Sequence, residues 1–193
     1  LAQPAMACVL REVTLLLCVL TAVITGVHSF GPAAGPFDID LKQLEPCEDQ
    51  GTAQVRFTDK LSNAGKGKYI YSSPYWLGVP IDENFKVYVD LQQWGNGGYR
   101  PRAMEYTAKN CEDAWKLVSD LIKEVMKSAG HPVESCPIPA GNYTANNWVV
   151  DVHLKNLPSM VYGKYRAVLS FSYKKVKVGC EMVYAEVIPK AFG

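Results

Sequence analysis

The stretch Cys136-Pro137-Ile138-Pro139-Ala140-Gly141-Asn142-Tyr143-Thr144, followed by Trp148-Val149-Val150-Asp151-Val152-His153-Leu154-Lys155, decides the fold. Two prolines remove backbone donors and bias the residues before them towards extended geometry, so the first part is not helical. In the second part Trp148, Val150, Val152 and Leu154 alternate with Val149, Asp151, His153 and Lys155. Further on, Tyr165, Ala167, Leu169 and Phe171 alternate with Arg166, Val168, Ser170 and Ser172. A period of two predicts strands with one face buried.

The same pattern extends upstream. Ala53, Val55 and Phe57 alternate with Gln54, Arg56 and Thr58, and Phe85, Val87, Val89 and Leu91 alternate with Lys86, Tyr88 and Asp90. Residues 68–72, 99–107 and 176–188 are further strand candidates, separated by turns such as Gly95-Asn96-Gly97-Gly98. One segment breaks the pattern: in residues 112–129, Trp115, Val118, Leu121, Ile122 and Val125 recur at helical steps. Asn110 is placed to cap this helix, Glu112 and Asp113 suit the positive end of its dipole, and Gly130 with Pro132 ends it. About seven strands with one inserted amphipathic helix predict a mainly β protein of immunoglobulin-like sandwich type.

The amino terminus sets the expected compartment. Arg11 precedes an apolar run from Val13 to Ile24, which ends in Thr25-Gly26-Val27-His28-Ser29. That is the layout of a secretory signal peptide cleaved after Ser29, and the run is too short to span a bilayer core of ~30 Å. Residues 1–29 therefore read as upstream residues and signal peptide, and residues 30–193 as a single domain. Secretion would let Asn142-Tyr143-Thr144 accept a glycan. Outside the leader, with its Cys8 and Cys18, stand Cys47, Cys111, Cys136 and Cys180. An even number in a secreted chain predicts disulfides, with three connectivities open. Cys111–Cys136 with Cys47–Cys180 is preferred, because the first bridge would brace the two ends of the helix.

Composition narrows the function classes. With 20 Lys+Arg against 19 Asp+Glu, the chain carries no nucleic-acid footprint. Metal spacing is missing too, since there is no CxxC and no clustered histidine. His131 and His153 are accompanied by no GxSxG, HExxH or phosphate-cradling glycine loop, so no enzyme and no cofactor is expected.

The order Cys136-Pro137, Gly141-Asn142-Tyr143, Leu157-Pro158-Ser159, Gly163-Lys164-Tyr165-Arg166 and Val178-Gly179-Cys180 resembles the ganglioside-activator branch of the lipid-recognition (ML-type) β-cup superfamily. The likeness is clearest over residues 111–187. It implies two sheets enclosing a lipid, apolar loops at the mouth, and the same two disulfides. It also implies a lipid or other hydrophobic small molecule as ligand, with transient membrane contact and a receptor or hydrolase as further partners. The ganglioside activators carry eight cysteines, and the two bridges missing here lie near their mouth loops.

The cavity expected from the inward-facing sets comprises Val55, Phe57, Phe85, Val87, Val89, Trp115, Leu121, Ile122, Trp148, Val150, Val152, Leu169 and Phe171. Two loops would form its rim, one with Tyr75, Trp76 and Leu77, the other with Met160, Val161 and Tyr162. The expected function is that of a secreted, extracellular lipid carrier; a lysosomal location is the alternative. The rival functional readings are a secreted protein-binding sandwich module and a chemosensory ligand carrier without lipid transfer.

Overall fold

The computed structural model describes residues 33–58, 60–65 and 68–190. The expected leader and its cleavage point lie outside them.

The centre of the fold is a five-stranded antiparallel sheet in the order β2-β13-β12-β7-β8. Its strands are β2 (Phe37–Pro46), β7 (Phe85–Gly95), β8 (Gly98–Ala108), β12 (Gly163–Tyr173) and β13 (Val176–Pro189). Between β7 and β8 the turn expected from Gly95-Asn96-Gly97-Gly98 forms with Asn96 and Gly97 both at positive φ, the backbone a tight two-residue hairpin turn needs. Two three-stranded sheets make up much of the other layer. One is β3 (Val55–Phe57), β6 (Pro74–Leu77) and β9 (Gly141–Thr144); the other is β4 (Leu61–Gly65), β5 (Lys68–Tyr71) and β10 (Trp148–Val149). Two short strands, β1 (Ala34–Gly35) and β11 (Met160–Val161), pair with each other. The described residues are thus mainly β with one inserted helix, as the alternation and the helical period predict.

Helix α1 spans Cys111–Ser128. Asn110 accepts a hydrogen bond from the Asp113 N–H at 2.9 Å, satisfying one of the orphan donors of the first turn. Past Ala129, Gly130 takes a φ of 77° and stops the helix. The helix is kinked at Val118, whose φ is −131°. There the Leu117 carbonyl accepts from the Lys155 N–H at 2.9 Å, and the Lys116 carbonyl from the Asn156 amide at 3.3 Å. Outside donors thus reach the helix carbonyls at the kink, one of the recognised settings for a sharp bend.

Both disulfides have the preferred connectivity, Cys47–Cys180 and Cys111–Cys136. They suggest an extracellular or secreted protein. Among the described residues, no helix is long and apolar enough to cross a membrane.

Two local expectations are corrected. Only Trp148–Val149 of the alternating stretch 148–155 pairs as a strand, with β5. The rest runs extended past the helix, because period-two burial requires an extended backbone facing apolar groups and not a hydrogen-bonded neighbour on both sides. The second correction concerns Tyr75, Trp76 and Leu77, which lie in the middle strand of a sheet and not in a loop. Pro74 is tolerated as the first residue of that strand. Tyr75 and Leu77 turn inward and are buried, while Trp76 stacks under the Arg56 guanidinium, 4.8 Å from its ring centre.

The two layers meet at one end of the large sheet. Val55, Phe85, Ile138, Phe171 and Val178 are buried there in one apolar cluster with Tyr75, Leu77 and Tyr143. Phe171 packs on Phe85 and Phe57, with ring centres 6.0 and 5.9 Å away. At Gly179 the layers approach so closely that a Cβ would stand 2.5 Å from the Val55 carbonyl oxygen.

Candidate functional site

The inward face of the large sheet is built in rows. Val89, Leu169 and Glu181 share one, with Tyr106 at its edge; Leu91, Ala167 and Val183 share the next, with Met104 and Leu44 at its ends. Beyond these come Tyr165, Ala185 and Leu41, then Val187 and Ile39. All of these residues line a cavity of about 670 Å³. Helix α1 contributes Lys116, Leu117, Val118, Leu121 and Val125, and the extended segment contributes Trp148, Val150, Val152, Leu154 and Leu157. Its volume falls in the ~300–1,000 Å³ range of small-molecule sites, and its wall is mostly aliphatic and aromatic.

The kink at Val118 helps to shape this space, because it brings Lys116, Leu117 and Val118 onto the wall in succession. A straight helix would turn each residue about 100° from the last and show only a stripe. Some lining residues are also exposed: Met104 at 41%, Tyr106 at 38%, and the side chains of Lys116 at 72% and Lys155 at 42%. They mark an opening between edge strand β8, the first half of the helix and the segment around Asn156. Lys116 pairs with Asp113 at 3.0 Å and Lys155 with Asp120 at 2.8 Å. Those contacts hold both carboxyls below the usual aspartate range, the lysine hydrogen bond being the main cause in each.

The tyrosines of the wall present rings. Tyr75 donates its hydroxyl to the Met126 sulfur at 3.2 Å, and Tyr165 donates to the Val161 carbonyl at 2.8 Å. Burial pushes both phenols above their ordinary value and keeps them neutral.

Of the residues expected to line a cavity, Phe57, Val89, Leu121, Trp148, Val150, Val152, Leu169 and Phe171 do so. Val55, Phe85, Val87 and Ile122 instead belong to or pack against the filled cluster, because they lie where the layers touch. Trp115 lies off the wall with the Lys123 ammonium 5.7 Å from its ring centre. Of the expected rim, Met160 and Tyr75 line the cavity but are buried, so neither forms an exposed lip. Val161 pairs with Ala34, and Tyr162 donates its hydroxyl to the Pro36 carbonyl, so both are tied to the amino-terminal strand. Trp76 and Leu77 are off the cavity wall. Asn142 is exposed on edge strand β9.

Sequence reasoning missed the wall of β2. Its signal was present, since Phe37, Ile39 and Leu41 alternate with Asp38, Asp40 and Lys42. A bulge opposite Tyr184 and Ala185 then adds one residue and returns Leu44 to the inner face. Leu91, Leu154, Tyr165 and Ala167, members of the alternating sets, also line the cavity.

Residues 84–167 match the family model described as Protein of unknown function (DUF1091). This DUF1091 match covers β7, β8, the helix and the extended segment, and hence every residue of the opening. Its description assigns no function, so it fits the lipid-recognition resemblance at most loosely. No curated protein matches the chain. Among the described residues, no group of three or more His, Cys, Asp or Glu side chains is placed to hold a metal ion.

Proposed function

We propose that this is a secreted, non-catalytic carrier that holds a lipid or similar hydrophobic molecule between its layers for transfer or presentation. The observation that carries the reading is the cavity of about 670 Å³ with an apolar wall and an opening beside the helix. An acyl chain entering it would gain ~0.8 kcal/mol for each methylene removed from water, enough for a chain of ordinary length to dominate affinity. The two lysines at the opening keep their charged heads in water while their stems extend the apolar wall, as long amphipathic side chains do at such boundaries. The lipid-recognition resemblance and the two disulfides support the same reading. Exposed Asn142 is then the glycan acceptor, and a membrane, receptor or hydrolase the partner at the opening.

Native mass spectrometry of the secreted protein, followed by organic extraction, tests this directly. A bound lipid of defined mass is the expected result. A protein that emerges empty and takes up neither fluorescent fatty acid nor glycolipid would sink the proposal.

A protein-binding module is favoured by a different observation. On the sheet near the β7–β8 turn, Trp94 is 48% exposed and packs edge-on against Tyr99, which contacts Tyr184. The Arg166 guanidinium lies 4.8 Å from the Tyr99 ring centre. Aromatic residues with arginine are the usual anchors of protein interfaces.

A further inference from the structure

Glu181 breaks the chemistry of the wall. It shares its row with Leu169, Val89 and Tyr106, is 4% exposed, and is the only carboxylate among the described lining residues. Its backbone lies between Cys180, fixed by a disulfide, and the strand neighbours Leu169 and Pro46, so the side chain cannot move to solvent without unpairing β13. Tyr71, likewise 4% exposed, lies on the opposite layer and also lines the cavity. A carboxylate offers about four lone-pair directions, so a neighbouring protein donor leaves acceptor capacity for a ligand. A purely apolar occupant would leave that remaining capacity unused, and a carboxyl offers it no apolar contact in place of an aliphatic side chain.

We propose that Glu181 is the polar anchor of the cavity and selects occupants that carry a hydrogen-bond donor, a hydroxyl or amine, on an otherwise apolar skeleton. This rests on the carrier reading above. The occupant would enter with its donor leading and its apolar remainder filling the rows from Leu91 and Ala167 towards Ile39 and Val187. A ligand without a donor would bury the carboxyl and return nothing to it.

Displacement of diphenylhexatriene, a fluorescent hydrocarbon without donors, separates the possibilities. The competitors are the isomers 1-dodecanol and 1-methoxyundecane, which differ in the donor. The wild-type protein should prefer the alcohol about tenfold, the worth of one good hydrogen bond. Glu181→Leu should erase that preference while still binding diphenylhexatriene, and Glu181→Gln, which keeps an acceptor, should retain it. Should Glu181→Leu fail to fold, dodecylamine decides: Glu181→Gln should lose about tenfold in amine affinity, because a charged acceptor strengthens the bond. Equal binding of the two isomers by the wild type, an unchanged preference in Glu181→Leu, or unchanged amine affinity in Glu181→Gln would each overturn the anchor while leaving the carrier intact. Failure of diphenylhexatriene and of every competitor to bind the wild type would remove the carrier reading, and the anchor with it.

Discussion

Strand β7 passes through two different environments within four inward-facing residues. Phe85 and Val87 meet the second layer in a filled cluster, whereas Val89 and Leu91 face the cavity. Strand β12 does the same in reverse, from Tyr165 and Ala167 on the cavity wall to Phe171, which touches both regions. The residue types hardly differ between the two ends. What differs is the facing layer: β3, β6 and β9 lie close at one end, and a kinked helix with an extended segment stands off at the other. Apolar inward residues thus become core or ligand wall according to what stands opposite them.

Truncations should expose the difference. Phe85→Ala removes a ring that is 2% exposed and packed on Phe171, and should cost about 3–5 kcal/mol in urea unfolding. Leu91→Ala, already beside empty space, should cost only about 2 kcal/mol, the low end for such truncations, while weakening uptake of a fluorescent lipid. Equal costs for the two would mean that the hollow end is filled in solution.

The disulfides bear unequally on the two regions. Cys47–Cys180 closes a loop with a sequence separation of 133, against 25 for Cys111–Cys136. Loop-closure entropy predicts a loss of about 5 kcal/mol on removing the first by paired serine substitution and about 3.5 kcal/mol on removing the second. The sharper contrast should come from ligand uptake: releasing the start of α1 should impair it beyond what the stability loss explains, because that helix forms one wall of the cavity.

Filling the cavity is the complementary test. Ala185→Leu adds volume in the row with Tyr165 and Leu41. In a filled core such overpacking costs about 1–3 kcal/mol, but here stability should change by less than about 1 kcal/mol and lipid uptake should fall. A large destabilisation would show that the row has no spare room.

The smallest expected effect is a pH dependence at the opening. Asp113 titrates below its ordinary 3.8 because Lys116 and the Lys109 N–H stabilise its charged form. A depressed folded value adds stability that is complete above 3.8 and disappears as pH falls through the lower folded value. Thermal melts of Asp113→Asn should therefore lose part of the acid-side slope, and by little, since the pair is exposed to solvent.

Much of the large sheet was legible because a buried face leaves alternation in any strand, whatever lies opposite. The helix was legible from its period and its Asn110 cap. The extended run after Trp148 was overread as strand, since alternation reports which side is apolar and carries no information about hydrogen-bonded neighbours. Similarly, turn residues around Tyr75 and Leu77 suggested a loop, yet Pro74 begins a strand and Pro80 follows it. Strand β2 was hidden by its bulge, which breaks the period at Lys42 and Gln43.

The candidate site was half legible for the same reason. Val89 and Leu121 reach the cavity, and Val87 and Ile122 on the same elements reach the cluster. Sequence alone determined which residues of the alternating strands turn inward and where the helix starts and stops, because these follow from local periodicity and capping, and it favoured one of three disulfide pairings. Only the tertiary structure decided where inward means packed and where it means hollow, which residues stand at the opening, and that Glu181 belongs to the wall. Those depend on the distance between two layers, a quantity set by long-range contacts such as the approach of Gly179 to Val55 and the kink at Val118.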